Sequence, residues 1–68
     1  MRKRLQFNVH EIEHQADTDH ALSELRKAGC DDVKLVATDF DSETIRVEAT
    51  LPEGWTLPRL EMEAELCL

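Results

Sequence analysis

The sequence predicts an α+β fold in which one helix packs on a sheet of four strands, in the order β-α-β-β-β. Four segments alternate apolar and polar residues with a period of two, which is typical of strands with one buried face. Between the first two segments, apolar residues instead recur at helical spacing. The 68 residues are expected to form one two-layer domain, residues 1–68.

The first strand is predicted from Leu5, Phe7 and Val9, which alternate with polar neighbours. The alternation breaks at Glu11, where a loop is expected to begin. Ile12 is the one large apolar residue in that loop, so we expect it to be buried beneath it.

The helix is predicted from an apolar stripe that consists of Ala21, Leu22, Leu25 and Ala28. Asp17 or Thr18 is expected to cap its N-terminus, because either side-chain oxygen can accept a free amide proton of the first turn. Gly29 is expected to end the helix, since glycine adopts the left-handed conformation without steric cost.

A β-hairpin is predicted next. Its strands are marked by two alternating sets, Val33, Leu35 and Ala37, then Ile45, Val47, Ala49 and Leu51. Residues 39–43 between them have turn composition.

The C-terminal segment is predicted to be a fourth strand, although its residues favour a helix. Its apolar set is Leu60, Met62, Ala64, Leu66 and Leu68, and its polar set is Glu61, Glu63, Glu65 and Cys67. On a strand the two sets occupy opposite faces. Three outward glutamates suit an edge strand. Residues 53–58 are then a connection that is too short and too broken by proline for a helix.

Charge and composition exclude several function classes. The net charge of −7 opposes direct binding to a nucleic-acid backbone, which requires cationic side chains. No apolar run approaches the 18 residues of a membrane span, and no secretory signal is recognisable. Cys30 and Cys67 are expected to be free thiols in a reducing cytoplasm. No nucleophile–base pair or phosphate-binding glycine loop can be argued from spacing, so a non-catalytic protein is expected.

About three quarters of the chain resembles the heavy-metal-associated domain of copper chaperones and metal-pumping ATPases. The matching positions are Phe7, Val9, Ile12, Ala21, Leu22, Leu25, Gly29, Val33, Val36, Asp39 and Val47. The resemblance implies a ferredoxin-like fold. The family has a second helix before its last strand, whereas the strand predicted over 60–68 leaves no room for one here. The expected fold is therefore a ferredoxin-like variant that lacks the second helix.

The resemblance also directs attention to the loop after the first strand. In the family this loop carries two cysteines that hold a soft ion, and those positions are occupied here by His14 and Asp17. Imidazole and carboxylate suit Zn(II), Ni(II) or Co(II), and His20 lies one turn further on. The first hypothesis is therefore a metal-handling domain that binds a divalent ion weakly through these three residues. The alternative is that Asp17 caps the helix and His14 is a solvated loop residue.

The second hypothesis is a protein-interaction module. One helix cannot cover a four-stranded sheet, so an apolar face should lie bare unless another chain, a homodimer partner or a different protein, covers it. The interface residues predicted on this ground are Trp55, Leu60, Met62 and Leu66. The acidic row Glu61, Glu63 and Glu65 offers a further version, an inhibitor that imitates nucleic acid. The alternative for that row is an ordinary solvated face.

Overall fold

A computed structural model describes all 68 residues and confirms the α+β class. Its elements are β1 (Arg4–His10), α1 (Gln15–Lys27), β2 (Asp31–Asp39), β3 (Thr44–Thr50) and α2 (Leu57–Ala64). Neither helix has the length and apolar character that crossing a membrane would require.

The strands form an antiparallel sheet in the order β1-β3-β2. The pairing of β1 with β3 is regular over all seven residues, from Arg4 opposite Thr50 to His10 opposite Thr44. Beyond β1, Cys67 forms a single antiparallel bridge with His10. This bridge lies where a fourth strand would extend the sheet, so the arrangement is compatible with a ferredoxin-like variant whose last strand is reduced to one pair.

Strand β2, at the other edge, pairs less regularly. Its register with β3 shifts between Asp31 and Lys34, and again between Leu35 and Ala37. Asp32 lies inside the first shift and has a φ of 52°, in the left-handed region. Such β-bulges bend an edge strand and hinder its pairing with another chain.

One hydrophobic core lies between the sheet and the two helices. The alternating residues of β1 and β3 supply its sheet side, as their period of two predicts. Ile12 is 3% exposed, which confirms its predicted burial beneath the loop. The buried apolar residues are Phe7, Val9, Ile12, Ala21, Leu25, Cys30, Ile45, Val47, Ala49, Leu51, Leu60 and Ala64.

Helix α1 begins earlier than predicted. His14 is the N-cap residue, so the prediction of Asp17 or Thr18 as the cap is wrong. Thr18 is instead fully buried, and its hydroxyl has no hydrogen-bond partner. The predicted end is confirmed: Gly29 has a φ of 105°, and its N–H donates to the Arg26 carbonyl at 3.0 Å. This hydrogen bond belongs to a Schellman motif, which satisfies carbonyl groups of the last helical turn.

The prediction of a strand over Leu60–Leu68 is wrong, because α2 occupies residues 57–64. Leucine, glutamate, methionine and alanine all favour helix, and Pro58 is tolerated in a first helical turn. Leu60 and Ala64 are four residues apart and both buried, whereas Met62 is 70% exposed. The apolar set therefore follows helical spacing, and the alternation by two is a coincidence of composition. Glu65, with φ 55° and ψ 44°, ends the helix.

This correction changes two further expectations. The chain has the second helix that the predicted variant lacked, and α2 covers sheet surface that was expected to be bare. The acidic row does not exist as a row either. Successive residues of a helix are about 100° apart, so Glu61 and Glu65 lie near one another while Glu63 faces elsewhere. The geometry that suggested imitation of nucleic acid is absent.

Truncating Leu60 tests the assignment of α2. Leu60→Ala removes a fully buried side chain, so we expect the free energy of unfolding to fall by about 2–5 kcal/mol. Met62→Ala is the matched control and should change it by less than about 0.5 kcal/mol, because Met62 is 70% exposed. Urea unfolding followed by circular dichroism measures both. Equal losses for the two variants would instead indicate a strand on which both side chains share one buried face.

Candidate functional site

The residues predicted to bind metal lie at the start of α1. Oδ2 of Asp17 accepts hydrogen bonds from the backbone N–H of Glu13 at 3.0 Å and of His14 at 2.9 Å. Asp17 is the third residue of the helix, so its carboxylate reaches back to the N-cap residue as in a capping box. His20 lies one turn further on, with Nδ1 3.9 Å from Oε1 of Glu24.

These contacts determine the electrostatics of the loop. The two backbone N–H groups hold the pKa of Asp17 below its usual value, and the nearby charges of His14 and His20 lower it further. Asp17 is therefore ionised near neutral pH and stabilises the positive end of the helix dipole. Asp17 thus supports the N-cap from the third helical position, whereas the sequence analysis placed it at the N-cap itself.

The loop does not suit a soft metal ion. Cys30 is buried and Cys67 is exposed, both are free thiols, and neither lies in this loop. Thiolates are the ligands that select Cu(I). The chain contains no group of three or more His, Cys, Asp or Glu side chains arranged to hold a metal ion.

The predicted interface residues do not form one patch. Leu60 is fully buried in the core, so it is unable to contact a partner, which corrects that prediction. Leu66 is half-buried against the core. Trp55 is half-buried, and the guanidinium of Arg59 lies 4.7 Å from the centre of its ring. Of the four predicted residues only Met62 is prominently exposed.

The outer edge of β1 presents unpaired backbone groups. The carbonyl of Lys3 points towards β3 and accepts a hydrogen bond from the N–H of Leu51 at 2.8 Å. The N–H of His10 points to the other side, away from β3, and donates to the carbonyl of Cys67 at 2.7 Å. Backbone groups of successive residues in an antiparallel strand point to alternate sides. The N–H and C=O groups of Gln6 and Asn8 therefore point outward with His10. No backbone hydrogen bond outside the regular elements reaches them.

A cleft of about 390 Å³ runs beside this edge, between β1 and α2. Its volume lies within the range of binding clefts. Four of its residues are apolar or proline and four are polar. They are Phe7, Leu57, Pro58 and Leu68, and Gln6, Asn8, His10 and Glu61. A second cavity, of about 160 Å³, lies near the β2–β3 turn and is much smaller.

The sheet face opposite the helices carries a network of polar side chains. Arg46 donates to Oε1 of Gln6 and to Oδ1 of Asn8, each at 3.0 Å. Gln6 and Arg4 in turn each donate to Glu48 at 3.0 Å, which lowers the pKa of the Glu48 carboxyl. These side chains have partners, whereas the outward backbone groups of Gln6 and Asn8 have none.

The sequence alone does not reveal this edge. The alternation in β1 identifies a half-buried strand, but it does not say which neighbours the strand has. The assignment of 60–68 as a strand also removed α2, which forms one wall of the cleft through Leu57 and Glu61. Pro58 was a local signal for α2, because proline is favoured in the first turn of a helix.

Comparison with known proteins adds no assignment. Searches against family models, curated proteins and solved structures each returned no match to this chain.

The capping role of Asp17 predicts a pH dependence of stability. Asp17→Asn keeps an oxygen acceptor but removes the charge, so it should lower the urea midpoint near neutral pH. Because the folded pKa of Asp17 is depressed, its stabilisation is fully present above the unfolded value and is lost as the pH falls through the folded value. The difference between wild type and variant should therefore disappear in strong acid.

Asp41→Asn is the matched control, since it removes an exposed carboxylate in the β2–β3 turn. Urea titrations at a series of pH values give the comparison. A difference for Asp17→Asn that persists unchanged in acid, or that equals the one for Asp41→Asn, would contradict the capping role.

Proposed function

We propose that this protein is a non-catalytic interaction module that accepts an extended segment of another protein along the outer edge of β1. The observation that carries the proposal is the combination of outward backbone groups at Gln6 and Asn8 with the adjoining cleft. Extended peptides bind free sheet edges through main-chain hydrogen bonds, and side pockets supply specificity.

The two edges of the sheet differ, which supports β1 as the receiving strand. The pairing of β1 with β3 is unbroken over seven residues, so its outer groups have regular spacing. Strand β2 has two register shifts and carries Asp31, Asp32 and Asp39, features that discourage strand addition. Beside β1 only the bridge between Cys67 and His10 occupies the edge.

A different protein fits this edge better than a second copy of the chain. Each copy carries a net charge of −7, so two copies repel one another at low salt. Light scattering over a range of concentrations tests the choice. A constant monomer mass is expected. If the mass doubles with concentration in wild type but not in Gln6→Pro, the edge of β1 binds a second copy of the chain and not a different protein.

Blocking one amide tests the proposed function. Linear peptides are first selected from a random library displayed on phage, with the immobilised protein as bait. Gln6→Pro removes an outward N–H and should weaken the selected peptides at least about tenfold, while β1 still pairs with β3. Nuclear magnetic resonance titrations should show the largest amide shifts at Gln6 and Asn8.

Two variants control this experiment. Gln6→Ala loses the side-chain hydrogen bonds but keeps the N–H, and Thr38→Pro removes an outward N–H at the opposite edge, on β2. Both should bind within about twofold of wild type. Selection of no peptide, or a loss in Thr38→Pro as large as in Gln6→Pro, would refute strand addition at β1.

As a second proposal, we propose a weak divalent-metal site that consists of His14 and Asp17 alone, since His20 does not form a three-ligand group with them. Its support is that His14 and Asp17 lie together in the first turn of α1, and that both backbone hydrogen bonds to Asp17 go to Oδ2 and leave Oδ1 without a partner. Imidazole and carboxylate together suit Zn(II), Ni(II) or Co(II) better than Cu(I).

Metal titration tests the second proposal. Zn(II) or Ni(II) should shift the amide resonances of residues 14–20, and His14→Ala should abolish the shifts. His10→Ala is the matched control, because His10 lies on β1 outside this loop. Titration without any shift in residues 14–20 would end the metal proposal and leave the interaction proposal untouched.

A further inference from the structure

We infer that the strand accepted at β1 carries a basic residue and, two residues later, an apolar residue, both facing α2. This inference rests on the proposed function and specifies the chemistry of the partner. It is drawn from the two ends of the cleft wall, which differ in character. Leu57 and Pro58 are apolar, and Glu61 is an acid.

Glu61 is the only formally charged side chain that lines the cleft when histidine is neutral. Its Oε2 accepts the backbone N–H of Leu68 at 2.8 Å, and it takes part in none of the ion pairs of the chain. The second carboxylate oxygen therefore remains available. A lysine or arginine of the partner would meet this oxygen, and the net charge of −7 attracts a basic segment from a distance.

The distance between the apolar and the acidic residue of the cleft wall matches the distance between side chains on one face of an extended strand. Leu57 and Glu61 are four residues apart on α2, which corresponds to about 6 Å along a helix axis. Side chains two residues apart on a strand share a face and are separated by about 6.7 Å. One side chain of an added strand can therefore lie against Leu57 while its neighbour on the same face reaches Glu61.

The order of the two residues follows from the direction of α2. Leu51 precedes α2 in the chain and bonds to Lys3, next to the start of β1, whereas Cys67 follows α2 and pairs with His10 at the end of β1. Helix α2 therefore runs in the same direction as β1. A strand antiparallel to β1, as Cys67 is, reaches Glu61 first and Leu57 second, so the basic residue precedes the apolar one.

Short synthetic peptides test this inference directly. The first probe is a blocked threonine pentapeptide with lysine second and valine fourth. The second carries glutamate instead of lysine, and the third carries lysine at the third position, where it faces away from α2. Amide shifts of Gln6 and Asn8 during titration give the dissociation constants. The first peptide should bind about tenfold more tightly than the second at low salt, and several-fold more tightly than the third.

Two variants isolate the role of Glu61. Glu61→Gln keeps an acceptor for the Leu68 N–H and should reduce the ratio between the lysine and glutamate peptides to about twofold. Glu63→Gln removes a glutamate of the same helix that does not line the cleft, and should leave the ratio unchanged.

The outcomes separate this inference from the proposed function. Equal binding of the first two peptides, or an unchanged ratio in Glu61→Gln, would overturn the inference. If Gln6→Pro still abolishes binding in that case, strand addition at β1 stands. If no peptide shifts Gln6 or Asn8, strand addition itself fails and this inference fails with it.

Discussion

The packing of α2 against the sheet is the interaction on which the rest of this structure depends. Strand β3 ends at the opposite end of the molecule from the place where an adjacent antiparallel strand beyond β1 must begin, and only a crossover of sufficient length can join them. Helix α2 makes that crossover, and burial of Leu60 and Ala64 holds it on the core. After this eight-residue helix, the described chain pairs with β1 through one residue, Cys67.

The candidate site lies along the part of β1 that this single pair leaves open. A full fourth strand would pair with the outward groups of Gln6 and Asn8 and fill the space between β1 and α2. Because only one pair forms, the sheet retains a regular free edge with a cleft beside it. The other edge, on β2, is bent by two bulges and carries acidic residues. The difference between the edges is the physical reason to assign binding to one of them.

The sequence predicted the elements whose periodicity and end signals agree. The strands β1 and β3, the buried Ile12 and the end of α1 at Gly29 all follow from local patterns. The prediction of a strand over residues 60–68 was wrong, because the alternation by two competed there with helix propensity and with the spacing of Leu60 and Ala64. Tertiary packing decided in favour of the helix, and no local pattern states the strand order that makes β1 an edge. The cleft therefore could not be predicted from the sequence. One of its walls depends on the strand order that makes β1 an edge, and the other depends on α2 being a helix.

The loop after β1 shows how one residue can satisfy two interpretations of a sequence. His14 and Asp17 are spaced like the two metal ligands of the family that the sequence resembles. They are also spaced like an N-cap residue and its partner at the third helical position. The second role has a visible basis, because two backbone N–H groups bind one oxygen of Asp17. A metal ion would have to use the other oxygen, and it would then strengthen a turn that already exists. Capping and weak metal binding are thus compatible at this loop, whereas a tight site would require ligands that the chain does not bring there.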